Sequence, residues 1–167
     1  MKSLIITGPE STGKTTIAEY LSTALNIQLI EEYSRTYLES TQGKYGYNDI
    51  ETMAKNAYSI IDSLSADKII LDTDIITYKI WSQTKYFKSS DWIEERIKNL
   101  DGNLYLLCYP DIPWVHDPLR ESQHERKDLF RKYEQLLISY NFSYFIISGN
   151  KEVRMETALD LATNYFF

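Results

Sequence analysis

Gly8-Pro9-Glu10-Ser11-Thr12-Gly13-Lys14-Thr15 lies between the apolar run Leu4-Ile5-Ile6 and a stretch in which Ile17, Leu21 and Leu25 recur near the helical period. The octet fits the phosphate-loop pattern G-x-x-x-x-G-K-[ST], and a preceding strand with a following helix is the context in which that pattern carries meaning. The glycines let the chain turn so that successive backbone N–H groups point inward, and the helix N-terminus adds the positive end of its dipole. Lys14 is then expected on the β- and γ-phosphates, with the Thr15 hydroxyl on Mg²⁺. Gly8, Glu10, Ser11, Thr12, Gly13, Lys14, Thr15 and Thr16 are the expected contacts of a bound ATP or GTP.

Working outward from the loop, four more apolar runs recur: Ile27-Gln28-Leu29-Ile30, Ile69-Ile70-Leu71, Leu104-Tyr105-Leu106-Leu107 and Tyr144-Phe145-Ile146-Ile147. Their apolarity is continuous rather than alternating, which suits parallel strands covered on both faces. Helical spacing fills the gaps, with Ile50, Met53, Ala57, Ile60 and Leu64 before the third run and Leu129, Tyr133, Leu136 and Tyr140 before the fifth. Val153, Leu159, Ala162 and Tyr165 suggest a closing helix. The pattern predicts an α/β, three-layer P-loop fold with a five-stranded, mainly parallel sheet, as one domain over residues 1–167. Ligands of such a sheet sit at the carboxyl ends of its strands.

Composition narrows the function. With 43% hydrophobic and 25% charged residues and no Gly/Ser/Pro-rich linker, the 167 residues read as one ordinary globular domain. A net charge of −6 argues against a long nucleic-acid partner, whose backbone is bound by clustered Lys and Arg, and favours a small substrate. The N-terminal apolar run is too short for a signal-peptide core or a membrane span, so a cytoplasmic protein with no membrane partner is expected. Cys108 closes an apolar run and reads as a core residue, and His116 and His124 stand too far from other ligand types to suggest a metal cluster.

The strand ends supply the remaining candidates. In Leu71-Asp72-Thr73-Asp74, Asp72 directly follows an apolar run and is the expected acid of the magnesium shell. Asp74, two residues on, points the same way if the chain is extended and would face the substrate; helix capping is its other natural role. Glu31-Glu32-Tyr33-Ser34-Arg35 offers acid, ring and cation together at the ligand edge. Residues His116 to Lys132 hold Arg120, Arg126, Arg131 and Lys132 among four acids. Arg120 is the expected catalytic cation because it follows Asp117-Pro118-Leu119 in a loop. A guanine-reading Asn-Lys-x-Asp element is absent, and phosphoryl transfer by a small kinase needs what this chain carries: an acid beside the acceptor hydroxyl, and arginines over the phosphates.

Taken in order, Gly-x-Glu-Ser-x-Gly-Lys-[Ser/Thr] at Gly8 to Thr15, Glu-Tyr-x-Arg at Glu32 to Arg35, Asp-Thr-Asp-x-x-Thr at Asp72 to Thr77 and Trp-Val-x-Asp-x-x-Arg at Trp114 to Arg120 resemble the ribosylnicotinamide kinase domain of NadR proteins. The resemblance spans nearly the whole chain. It implies ATP- and Mg²⁺-dependent phosphorylation of the 5′-hydroxyl of nicotinamide riboside in NAD salvage, with a lid over about residues 114–127. NadR proteins carry a nucleotidyltransferase domain before the kinase, and since this sequence starts at the first strand of the P-loop domain a stand-alone kinase is expected. It also implies Lys14, Glu32, Asp74 and Arg120 as catalytic residues, Glu32, Tyr33, Arg35, Asp74, Trp114 and Asp117 at the nucleoside, Arg126 at ATP, and Thr15 and Asp72 at the metal. Two other readings stay open: a deoxynucleoside kinase of the same architecture, and a non-catalytic module that senses ATP.

Overall fold

The computed structural model describes residues 1–167. Strand β1 (Lys2–Thr7) leads through the phosphate loop into helix α1 (Lys14–Leu25), followed by β2 (Gln28–Ile30), α2 (Tyr33–Ser40), α3 (Tyr47–Asp62) and β3 (Lys68–Asp72). The second half runs α4 (Ile75–Tyr86), α5 (Asp91–Lys98), β4 (Leu104–Cys108), α6 (Arg126–Ser139), β5 (Ser143–Ile147) and α7 (Lys151–Phe166). The strands form one sheet in the order β2-β3-β1-β4-β5, and every pairing is parallel. All five expected apolar runs are strands of this sheet.

Side chains alternate across a strand, and here the alternation divides the core in two. Ile5, Ile69, Leu71, Tyr105 and Leu107 face one layer, packed with residues of α3 to α6 such as Met53, Ile76, Ile97 and Tyr133. Leu4, Ile6, Ile70, Leu106 and Cys108 face the other, against Ile17, Ala18 and Leu21 of α1 and Ala158, Ala162 and Phe166 of α7. The result is the three-layer α/β arrangement expected from continuous apolar strands. Cys108 is fully buried, and burial pushes its thiol up to about 12, as suits a core residue.

Helices α2 and α5 carry no periodic signal because each is eight residues long with only two buried positions, Ser34 and Leu38 in the one and Ile93 and Ile97 in the other. No helix is long and apolar enough to cross a membrane.

Strand β1 sits between β3 and β4, with Ile6 opposite Asp72 and Thr7 opposite Leu107. The loops that leave β1 and β3 therefore emerge side by side, and the long irregular segment 109–125 leaves β4 on the other flank. The start of α6 at Arg126 shortens the expected lid: Arg126 and Lys127 belong to a helix, and the loop part ends at Glu125.

Candidate active site

The phosphate loop closes because three of its residues adopt left-handed backbone angles: Gly8 at φ 131°, Ser11 at φ 54° and Gly13 at φ 79°. Gly8 is also a close approach. A Cβ there would lie 2.8 Å from the Cys108 carbonyl oxygen, so β4 presses directly on the loop and excludes any side chain. Within the loop, Thr12 Oγ1 and Lys14 Nζ donate to the Pro9 carbonyl at 2.8 and 2.9 Å. From behind, the buried Arg154 of α7 donates to the carbonyls of Thr12, Tyr109 and Gly149 and pairs with Asp111. Sequence reasoning missed Arg154, since its role depends on a contact between residues 142 apart.

In front of the loop lies a cleft of about 480 Å³. Its walls include all eight expected loop residues, Gly8, Glu10, Ser11, Thr12, Gly13, Lys14, Thr15 and Thr16, together with Glu32 and Arg35 from the start of α2 and Asp117 and Arg120 from the 109–125 loop. Segments distant in sequence thus converge on one space. Glu32 is half-buried at the N-terminus of α2 and accepts a hydrogen bond from Ser34 Oγ at 2.5 Å. The Leu119 N–H and then the Arg35 guanidinium, which donate to Asp117 at 3.0 and 2.8 Å, hold its carboxyl below the ordinary value. Arg120 donates to the Val115 carbonyl at 2.9 Å.

At the floor beside the cleft, Thr15 Oγ1 donates to Asp72 Oδ2 at 2.6 Å. Burial raises the Asp72 carboxyl above its ordinary value, against the pull of Lys14 and the Thr15 hydrogen bond. Its other oxygen, Oδ1, is buried with no hydrogen-bond partner. A hydroxyl and a carboxylate with an unused oxygen form a hard-donor set that fits Mg²⁺, which takes most of its remaining ligands from phosphate and water.

Four expected substrate or nucleotide residues lie elsewhere. Asp74 does not face the cleft. Thr73 takes φ 79°, which breaks the extended alternation that would have aligned Asp74 with Asp72. Asp74 instead caps α4 by accepting the Ile76 N–H and receives the Tyr105 hydroxyl at 2.8 Å, while being fully buried. Tyr33 turns away from the cleft and accepts from Asn56 Nδ2. Trp114 lies outside the cleft under the Arg126 guanidinium, and Arg126 donates to the carbonyls of Ser11 and Ile112, fastening loop to loop.

The structure also adds residues. Tyr45, Trp81 and Lys85 line the cleft, with the Tyr45 hydroxyl accepting from Trp81 Nε1 at 3.0 Å and Lys85 Nζ at 2.5 Å. Thr77, Thr84, Glu121 and Tyr133 lie on the same wall. Thr77 closes the Asp-Thr-Asp-x-x-Thr stretch already singled out in the sequence; Lys85 and Glu121 pair across 36 residues and carry no local signal.

The buried Asp74 gives a test of the geometry by pH. Desolvation raises its carboxyl to about 7 against hydrogen bonds from Tyr105 and Ile76, whereas in the unfolded chain it titrates near 3.8. Between about pH 4 and 7 the folded state then binds more protons than the unfolded state, so unfolding free energy falls as pH rises through that window. The Asp74→Asn protein keeps an acceptor for the Ile76 N–H and cannot ionise. Its unfolding free energy, measured by urea titration at several pH values, is expected to be flatter than the parent's by a few kcal/mol over this window. An unchanged slope would mean that Asp74 is ionised and solvated.

The AAA domain family profile matches residues 3–154. The trifunctional NAD biosynthesis/regulator proteins NadR of Escherichia coli (strain K12) and Salmonella typhimurium are each 26% identical over 153 residues, which is 86% of this chain. The chain spans 37% of the length of each of these curated relatives. A crystal structure of NadR protein in complex with NR superposes with a TM-score of 0.80 at 20% identity, covering 98% of this chain and 50% of that one. Deoxyadenosine kinase from M. mycoides with bound dATP superposes at a TM-score of 0.67 and 13% identity, covering 96% and 98%. The fold is that of the P-loop nucleoside kinases, and the motif resemblance to NadR extends to sequence and structure across most of the chain.

Proposed function

From the premise that the chain belongs to the AAA domain family, we propose that it is an ATP- and Mg²⁺-dependent nucleoside kinase that phosphorylates the 5′-hydroxyl of nicotinamide riboside to give nicotinamide mononucleotide. One observation carries the reading: a single cleft brings the Lys14 ammonium, the Glu32 carboxylate and the Arg120 guanidinium into one space beside the Thr15–Asp72 pair. Such a cleft can hold a triphosphate at one end and an acceptor hydroxyl beside an acid at the other. The likeness to NadR proteins supports the choice of riboside.

In this mechanism the loop amides and Lys14 bind and orient the phosphates, and Lys14 gains most as charge shifts toward the leaving oxygen. Thr15 and Asp72 would hold Mg²⁺, which when bound neutralises phosphate charge. Glu32 accepts the proton of the attacking hydroxyl and fixes its direction, while Arg120 stabilises charge on the transferring group. In this reading Asp117, which pairs with Arg35 and lines the cleft, binds ribose hydroxyls. The protein is proposed to work in the cytoplasm on small molecules, without a nucleic-acid or membrane partner.

The assignment is tested by ADP release from Mg·ATP with a panel of ribosides and deoxyribosides. Nicotinamide riboside should give the highest kcat/KM. A preference for a deoxynucleoside would transfer the protein to that class, and ATP binding without turnover of any member would identify a sensing module. The metal role is tested separately with Asp72→Asn. Its half-saturating Mg²⁺ concentration is expected to rise at least about tenfold with the riboside KM little changed, since loss of one oriented oxygen donor weakens metal sites on that scale. An unaltered Mg²⁺ dependence would remove Asp72 from the metal shell.

A further inference from the structure

Glu10 occupies a position that the general phosphate-loop pattern leaves free, and an anion there calls for a physical account. A carboxylate among amides that bind phosphate repels the ligand. The structure shows where its charge goes. Glu10 Oε2 accepts the backbone N–H of Glu121 at 3.1 Å and of Ser122 at 2.9 Å, both in the 109–125 loop. Its neighbour Ser11 accepts the Val115 N–H on its side-chain oxygen at 2.8 Å. Residues 10 and 11 of the phosphate loop therefore grip the facing loop at two places, and Arg120 lies between them.

Arg126 also ties the two loops through the Ser11 and Ile112 carbonyls, and the segment around Arg120 is further held over the cleft by two side-chain ion pairs, Arg35 with Asp117 at 2.8 Å and Lys85 with Glu121 at 3.1 Å. Arg35 and Glu121 are each more than half exposed, and such pairs contribute little in water. Hydrogen bonds from two successive amides to a half-buried carboxylate are stronger and fix the backbone itself. The amide of Glu121 belongs to the peptide bond that leaves Arg120.

We infer that Glu10 is a positioning residue: it commits its carboxylate to the amides of Glu121 and Ser122, and so sets the place of Arg120 over the phosphate loop without itself touching nucleotide. The consequence for transfer rests on the kinase reading above; the consequence for the loop does not. Glu10 was expected among the nucleotide contacts, and the inference moves it from phosphate ligand to the link between the two loops.

Trypsin reads the link directly, because cleavage after Arg120 breaks the peptide bond whose N–H Glu10 holds. Cleavage at Arg120–Glu121 should rise about fivefold or more in Glu10→Ala and less in Glu10→Gln, which keeps a neutral acceptor, while cleavage after Arg131 in α6 stays at the parent rate. The dissociation constant of a non-hydrolysable ATP analogue should stay within about twofold, and kcat should fall about tenfold as Arg120 loses its place. Equal rises at both trypsin sites, an unchanged Arg120–Glu121 rate, or weakened analogue binding would each overturn the inference. If the parent protein turns over no acceptor at all, the kinase reading fails, and the cleavage and analogue-binding measurements still decide the role of Glu10.

Discussion

Lys14→Ala is expected to lower kcat by about 10³-fold or more while leaving the fold intact. In the structure the Lys14 ammonium makes one hydrogen bond, to the Pro9 carbonyl, and no ion pair with any carboxylate. Its charge is therefore available to the phosphates rather than consumed by the protein, and removing it leaves no buried partner stranded. The side chain is half-buried at the rim of the cleft, so truncation opens space toward solvent instead of a core cavity. Loss of activity should thus appear without a matching loss of thermal stability. A coupled ADP assay with saturating acceptor checks it, and a mutant that keeps more than about half the parent rate would show that Lys14 does not act on the phosphates.

A second large effect is expected at Glu32. Of the two acids proposed from sequence for the acceptor hydroxyl, only Glu32 lines the cleft, since Asp74 is sealed beneath α4. Glu32→Gln preserves shape and a hydrogen-bond acceptor for Ser34 but cannot take up a proton, so kcat/KM for the riboside should fall by about 10²-fold or more. Mg·ATP affinity should change little, because the metal is proposed to be held by Thr15 and Asp72. Titrating Mg·ATP and riboside separately decides the matter. Weaker Mg·ATP binding with unchanged riboside parameters would assign Glu32 to the metal and invert the proposed division of labour.

What could be read in the sequence was local, and what could not was long-range or lay in a single dihedral angle. The five strands were legible because each is a short continuous apolar run, and the phosphate loop because its glycines, lysine and threonine sit at fixed spacing between strand and helix. Asp74 shows the limit. Its alignment with Asp72 follows from strand geometry, but one residue, Thr73, leaves the extended region and turns the carboxylate into the core. Tyr33 failed for a related reason, since the start of α2 rotates alternate side chains away from the ligand edge. Tyr45, Lys85 and Glu121 meet only because α4 and the 109–125 loop fold onto the same wall, a contact that no spacing records.

The grip of Arg154 on the phosphate loop also bears on how the molecule comes into being. The guanidinium that secures the Thr12 carbonyl lies 142 residues further along the chain. A contact of such sequence separation raises contact order and forms late in folding. Until α7 docks, the loop lacks its backing and the buried carbonyl of Thr12 lacks this donor, as do the carbonyls of Tyr109 and Gly149. A nucleotide that binds the backed loop and not the unbacked one would by mass action favour the state in which α7 is docked, so the phosphate site and the last helix are coupled through one guanidinium.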